Sequence, residues 1–143
     1  MLVEHCGAGR RSIDAGWKAR TGMNTGLVEY LSACIAAVIL HELAHVLVAT
    51  SMGIRVKRMG ISWRGPYIVR EQGQPLGNFC TALAGPALNL LLAGVLWSSA
   101  PQFSLINLLL GAYNLVPFIP GLDGHNALRA YRKIGELGKN SSV

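Results

Sequence analysis

The segment Leu27–Met52 decides the fold class of this chain and reads LVEYLSACIAAVILHELAHVLVATSM. It is apolar over most of its length, and at about 1.5 Å per residue a helix of this length crosses a hydrocarbon core of about 30 Å. Within it, His41, Glu42 and His45 form the pattern His-Glu-x-x-His. Histidines four residues apart lie on one face of a helix, so both can bind one metal ion while the glutamate reaches a water molecule beside it. The pattern indicates a zinc hydrolase, and its setting indicates hydrolysis within a membrane.

The composition favours a membrane protein over a soluble domain. Of the 143 residues, 51% are hydrophobic and 14% are charged, whereas about a quarter of the residues in a soluble domain are charged. The net charge of +6 comes from basic residues that lie between apolar segments rather than in a stripe with aromatic residues. We therefore read them as topology signals and expect no nucleic-acid partner. The cysteines Cys6, Cys34 and Cys80 have no close spacing, which favours buried thiols.

Two further apolar segments follow the first. The second, at about 78–99, is interrupted only by isolated glycine, proline and polar residues, which membrane helices tolerate. The third, at about 103–118, is broken near Pro117 and Pro120 and is too short to span a bilayer as a helix alone. It can complete a crossing as irregular backbone that lines a protein cavity. The predicted fold class is an all-α integral membrane protein with a core of three transmembrane helices, the first at about 27–52.

Two smaller elements accompany these segments. Residues 54–70 alternate in part between apolar and basic side chains, and with a turn at Gly65-Pro66 they predict a small β-hairpin whose outer edges are free to pair. Residues 124–139 predict a short C-terminal amphipathic helix, either on a membrane surface or solvated. The predicted organisation is a polar N-terminal segment at 1–26, an intramembrane core at 27–132 and a C-terminal tail at 133–143.

The basic residues also give an orientation. The loop at 54–71 and the C-terminal tail would share one side of the membrane, and together they carry most of the Lys and Arg residues. The positive-inside rule then places them in the cytoplasm and the N-terminus outside. The prediction is a multi-pass integral membrane protein, in the cytoplasmic membrane if the organism is prokaryotic, with the active site towards the cytoplasmic side.

A catalytic zinc ion needs a third protein ligand and an open position. Asp123 is the leading candidate, because a carboxylate at membrane depth is costly and usually functional. On local sequence alone Asp123 could instead be a helix N-cap, and His125 is an alternative ligand. The alternative for the motif itself is a pair of core histidines, His41 and His45, on a soluble helix.

At this point the sequence resembles the site-2 protease family of intramembrane zinc metalloproteases. The matching elements, in order, are His41-Glu42-Leu43-Ala44-His45, Gly85-Pro86-Ala87-Leu88-Asn89, and Asn114-Leu115-Val116-Pro117 with Leu122-Asp123-Gly124. His125 stands where family members usually carry a second glycine. Most members also have additional helices or an inserted domain, so we expect this chain to be a minimal or shortened core.

The resemblance implies specific roles for the matching residues. His41, His45 and Asp123 would bind one Zn²⁺ ion per chain, and Glu42 would be the catalytic base. Asn89 would lie near the active site and, together with Asn114, is a candidate substrate-binding residue. Without the resemblance, Asn89 reads equally well as an amide that packs one helix against another.

The predicted function is zinc-dependent cleavage of peptide bonds in or near the transmembrane segments of membrane proteins. The partners would be a transmembrane protein substrate and the lipid bilayer. A second copy or a partner membrane helix could enclose the cleft of so small a core. The alternatives are a non-catalytic zinc-binding membrane scaffold and a small soluble zinc protease.

Overall fold

The computed structural model describes residues 7–62 and 65–140 and contains four helices and one β-hairpin there. In chain order the elements are α1 (Gly7–Ser51), β1 (Val56–Ser62), β2 (Gly65–Arg70), α2 (Pro75–Val95), α3 (Pro101–Asn114) and α4 (Asp123–Asn140). The prediction of a mainly helical protein with a small hairpin is therefore confirmed. Cys6 and two residues of the predicted hairpin, Trp63 and Arg64, lie outside the described residues.

Helix α2 lies at the centre of the fold and packs against α1, α3 and α4. The helices approach closely because the buried apolar side chains between them are small, as is common where helices pack in membranes. The buried alanines on these helices are Ala37, Ala44, Ala49, Ala82, Ala93, Ala127 and Ala130. The large apolar side chains point outwards instead, which is the reverse of a soluble core.

Two helical segments among the described residues are long and apolar enough to cross a membrane, Gly26–Ser51 in α1 and Pro75–Val95 in α2. Large exposed side chains recur every four residues along the first of them, at Leu27, Leu31, Ile35, Ile39, Leu43 and Leu47. A continuous apolar face of this kind suits contact with lipid. Helix α3 has 14 residues and does not meet the same test, so two of the three predicted crossings are supported by length.

The helix boundaries differ from the predicted ones for simple reasons. Helix α1 already begins at Gly7, since the sequence has no proline before Pro66 that would break it. Helix α2 begins at Pro75, a residue whose fixed φ suits the first turn of a helix. Helix α3 ends at Asn114, three residues before Pro117.

The hairpin is antiparallel, and its turn is not where the sequence predicts it. Gly65 pairs with Ser62 and Pro66 pairs with Ile61, so both predicted turn residues belong to β2. The prediction of a turn at Gly65-Pro66 is wrong, because both residues pair with β1 as part of β2. A proline is tolerated in β2 because each strand of a two-stranded sheet is an edge strand.

Helix α4 brings the C-terminal part of the chain back to α2. The rings of Tyr131 and Phe79 contact each other with centroids 6.1 Å apart, and the buried Ala127 and Ala130 lie along the same helix. A run of turns over residues 115–122 connects α3 to α4. This path places Asp123, the first residue of α4, beside α1.

Candidate metal centre

Two imidazoles from α1 and one carboxylate from α4 meet at a single point. The Nε2 atoms of His41 and His45 lie 3.0 and 3.1 Å from Oδ2 of Asp123, and 3.2 Å from each other. Ligand atoms of a tetrahedral zinc ion, at bond lengths near 2.0–2.1 Å, are about 3.3 Å apart. The spacing of these atoms and their chemistry fit one zinc ion.

The orientation of His45 is set by a contact from α2. Nδ1–H of His45 donates a hydrogen bond of 2.6 Å to the main-chain oxygen of Thr81, and the Thr81 hydroxyl donates to the Gly77 oxygen. A histidine that donates from Nδ1 presents the lone pair of Nε2, which is the atom that faces Asp123. The main chain of α2 therefore selects the ring form that a metal ion requires.

Glu42 lies beside this group and is not bonded to it within the described residues. Its side chain is half-buried, and its charge interacts with those of His41, His45 and Asp123. Among the described residues it forms no hydrogen bond or ion pair. A carboxylate in this position has its lone pairs available for a proton.

The surroundings of Asp123 favour its ionised form. Nε2 of His41 and of His45 lie 3.0 and 3.1 Å from its Oδ2, so a metal ion shared by these three atoms would favour the carboxylate. Asp123 is also the first residue of α4, where the helix dipole favours a negative charge. The ionised carboxylate is the form that binds a metal ion.

Comparisons with known proteins agree with this geometry. A solved structure of a site-2 protease from Methanocaldococcus jannaschii superposes with a TM-score of 0.61 and 28% sequence identity, over 69% of this chain and 51% of that one. A zinc metalloprotease of the same organism is 30% identical over 116 residues. The chain belongs to the site-2 protease family. A Synechocystis protein named as a putative zinc metalloprotease is 36% identical over 110 residues, and no protein-family model matches the chain.

The chain matches only part of each of these relatives. The matches cover 66% and 71% of this chain but only 29% of the Synechocystis protein and 34% of the Methanocaldococcus metalloprotease. The chain thus spans about a third of the length of the curated relatives that it matches.

Two glycines of the family motifs are needed for the centre to close. A Cβ atom at Gly85 would lie 2.5 Å from Nε2 of His45 and 2.7 Å from the His41 ring, so only glycine lets α2 approach both imidazoles. A Cβ atom at Gly124 would overlap the main chain of Leu115, so glycine also lets α4 begin against the end of α3. Both glycines therefore lie where a side chain would force neighbouring segments apart.

The other predicted site residues have contacts of their own in the structure. Nδ1 of His125 donates to the Pro117 oxygen at 3.1 Å, and His125 is not part of the group that could hold a metal ion. Asn114 donates to the Leu110 oxygen within its own helix. Asn89 is fully buried, and its Cβ lies against Gly111 of α3. The structure therefore places Asn89 in the contact between two helices, and its role in substrate binding stays a prediction.

Sequence reasoning missed the contact from Thr81, and no sequence signal could have revealed it. The acceptor is a main-chain oxygen, which every residue type possesses. The sequence does carry a signal for the packing role of Gly85. A glycine followed by proline inside an apolar helix is unusual and suggests that another segment approaches the helix closely.

Proposed function

We propose that this chain is a zinc-dependent endopeptidase that cleaves peptide bonds in or near the transmembrane segments of membrane proteins. The observation that carries the proposal is the meeting of His41, His45 and Asp123 within 3.0–3.2 Å, with Glu42 beside them, on a helix apolar enough to cross a membrane. The names of the relatives, zinc metalloprotease and site-2 protease, support the same reaction.

The residues divide the work of hydrolysis between them. His41, His45 and Asp123 would hold the zinc ion, which when bound supplies Lewis-acid chemistry that makes water a nucleophile at neutral pH. Glu42 would accept the proton of the attacking water and pass it to the leaving amine as the peptide bond breaks. The hydrogen bond from His45 to Thr81 keeps that ring oriented throughout.

We propose three membrane crossings with the metal centre towards the cytoplasmic side. Helices α1 and α2 supply two of them. At about 1.5 Å per residue the 14 residues of α3 reach about 21 Å, so the irregular segment 115–122 would complete the third crossing beside the metal centre. The basic residues of the loop at 54–71 and of α4 favour this orientation.

The substrate would be a transmembrane protein whose helix unwinds near the metal centre, because a helical segment hides its carbonyl groups. The hairpin offers a means of holding an unwound segment. Within the part of the chain that the structure describes, strands β1 and β2 pair only with each other, so each has an outer edge that could accept a further strand.

The test is cleavage by the full chain in proteoliposomes. The probes are synthetic single-span peptides with or without an Asn-Pro pair at mid-span, because proline breaks a helix and so favours the unwound form. Cleavage is detected by mass spectrometry. We expect wild type to cut the Asn-Pro peptides. Glu42→Gln should bind zinc and lose cleavage by at least about a hundredfold, whereas Glu29→Gln on the same helix, exposed and away from the centre, should keep it.

Either of two results would contradict the proposal. Undiminished cleavage by Glu42→Gln would remove the assigned base. Wild type that holds zinc and cuts none of the peptides would favour a zinc-binding scaffold.

A further inference from the structure

A cleft separate from the metal centre lies between β2, the start of α2 and α4. Its volume is about 400 Å³, and none of the three residues of the metal centre lines it. Three of the residues that line it are cationic, Arg70, Arg129 and Lys133. The proposed reaction uses none of them.

The residues that line this cleft include three cations and one carboxylate. Arg70, Arg129 and Lys133 form no ion pair with any other residue in the described ranges. Glu71 also lines the cleft, but its carboxylate is held by Lys57 with 3.3 Å between Nζ and Oε1. The cleft therefore presents several cations to one occupant, an arrangement that suits an anion.

One guanidinium nitrogen of Arg70 also lacks a hydrogen-bond partner among the described residues. Its side chain is half-buried, and its Nη1 has no hydrogen-bond acceptor in the described part of the chain. Burial lowers the pKa of Arg70 and the Asp123 charge opposes this, and a guanidinium stays charged at any physiological pH. A buried charge without a counter-ion is costly, so an anion near Arg70 would be stabilising.

The position of the cleft identifies the kind of anion. Pro75, which lines it, is the first residue of the candidate span in α2, so the cleft lies at a membrane boundary. Phosphate groups of lipids occupy this level, and basic pockets beside membrane helices bind them. An acidic peptide fits less well, because membrane proteins carry an excess of Lys and Arg next to their cytoplasmic ends.

We infer that this cleft binds the phosphate of an anionic phospholipid headgroup through Arg70, Arg129 and Lys133. The apolar side chains of Ile68 and Ala130, which also line the cleft, would contact the start of the lipid chains. The inference goes beyond the proposed reaction and depends on its membrane placement, but not on catalysis.

The test is lipid binding by the full chain in dodecyl maltoside, measured by native mass spectrometry with phosphatidylglycerol or phosphatidylcholine of identical acyl chains. Wild type should bind phosphatidylglycerol roughly tenfold more tightly than phosphatidylcholine. The double substitution Arg129→Gln with Lys133→Gln should reduce this preference to less than about threefold. Both side chains are exposed, so the fold should tolerate the change, and zinc content serves as the check.

A matched control removes two charges outside the cleft. Arg58→Gln with Arg132→Gln, also exposed, should keep the wild-type preference. Glu42→Gln should keep it too, so a failure of the proposed reaction and a failure of lipid binding are separate results.

Four outcomes would overturn the inference. Wild type could show no preference between the two lipids, or the control could lose the preference as fully as the cleft variant does. Glycerol 3-phosphate could bind as tightly as phosphatidylglycerol, which would assign the cleft to a soluble phosphate. A synthetic acidic peptide could bind where phosphatidylglycerol does not, which would assign it to a protein partner.

Discussion

Two groups of buried or half-buried polar side chains lie on the helices and differ in how their polar atoms are arranged. At the metal centre, Nε2 of His41 and of His45 and Oδ2 of Asp123 converge within 3.2 Å. In the second group, Asn89, Ser104 and Asn107 are fully buried on α2 and α3, and each keeps a side-chain atom without a partner among the described residues. Buried polarity alone therefore does not make a site; convergence of ligand atoms on one point does.

The cost of burial shows why the difference matters. An unpaired buried polar atom costs about 1–3 kcal/mol, and both groups would carry this cost in an apolar surrounding. A cation between the three converging atoms would satisfy the lone pairs that face it, while Nδ1 of His41 stays without a partner among the described residues. No single ion is positioned to do so for the amides, so the two groups should respond differently to substitution.

The largest effect is expected from substitution of Asp123, the candidate ligand that α4 supplies. Asp123→Ala removes the one carboxylate of the centre, so we expect zinc affinity to fall at least about a hundredfold and cleavage to be lost. Zinc content of the purified protein, measured by plasma mass spectrometry, checks this. His125→Ala is the matched control, since His125 bonds Pro117 instead, and it should keep full zinc. Full zinc in Asp123→Ala would return the third-ligand role to another residue.

A smaller effect is expected where α2 touches both imidazoles. Gly85→Ala would insert a methyl group 2.5–2.7 Å from the rings of His41 and His45, so α2 or the rings must shift. Zinc affinity should fall about 10–100-fold. Gly94→Ala on the same helix meets nothing within 4 Å and should leave zinc affinity unchanged. Equal affinities of the two variants would mean that the close approach of α2 is not required.

The smallest effect is expected in the second group. Ser104→Ala removes a buried hydroxyl that has no partner in the described ranges, so the free energy of unfolding should stay within about 1 kcal/mol of wild type or rise. Thermal unfolding in detergent measures this, with zinc content unchanged. A loss of several kcal/mol would show that the hydroxyl has a partner, such as ordered water.

The sequence predicted those features that depend on regular spacing. Histidines four apart on a helix must share a face, so the pairing of His41 with His45 follows from helix geometry. The cost of a carboxylate at membrane depth and the family resemblance both predict Asp123 as the third ligand. The structure brings the three together, while their role as zinc ligands stays a prediction.

What the sequence did not predict depends on contacts between distant segments. The hairpin turn was displaced from Gly65-Pro66, because strand pairing outweighed a local turn preference. The burial of Asn89 against Gly111 arises from the packing of α3 on α2, which no local pattern reports. The cationic cleft brings together β2 and α4, which lie more than fifty residues apart in the sequence. The sequence alone indicates its cations only as topology signals.

X-ray absorption at the zinc edge of the purified full chain tests the central claim most directly. The account predicts one zinc ion per chain, with two imidazole nitrogens and carboxylate oxygen at about 2.0–2.1 Å and no sulfur ligand. A sulfur ligand at about 2.3 Å, a single imidazole, or a chain purified from zinc-replete cells without the metal would contradict it.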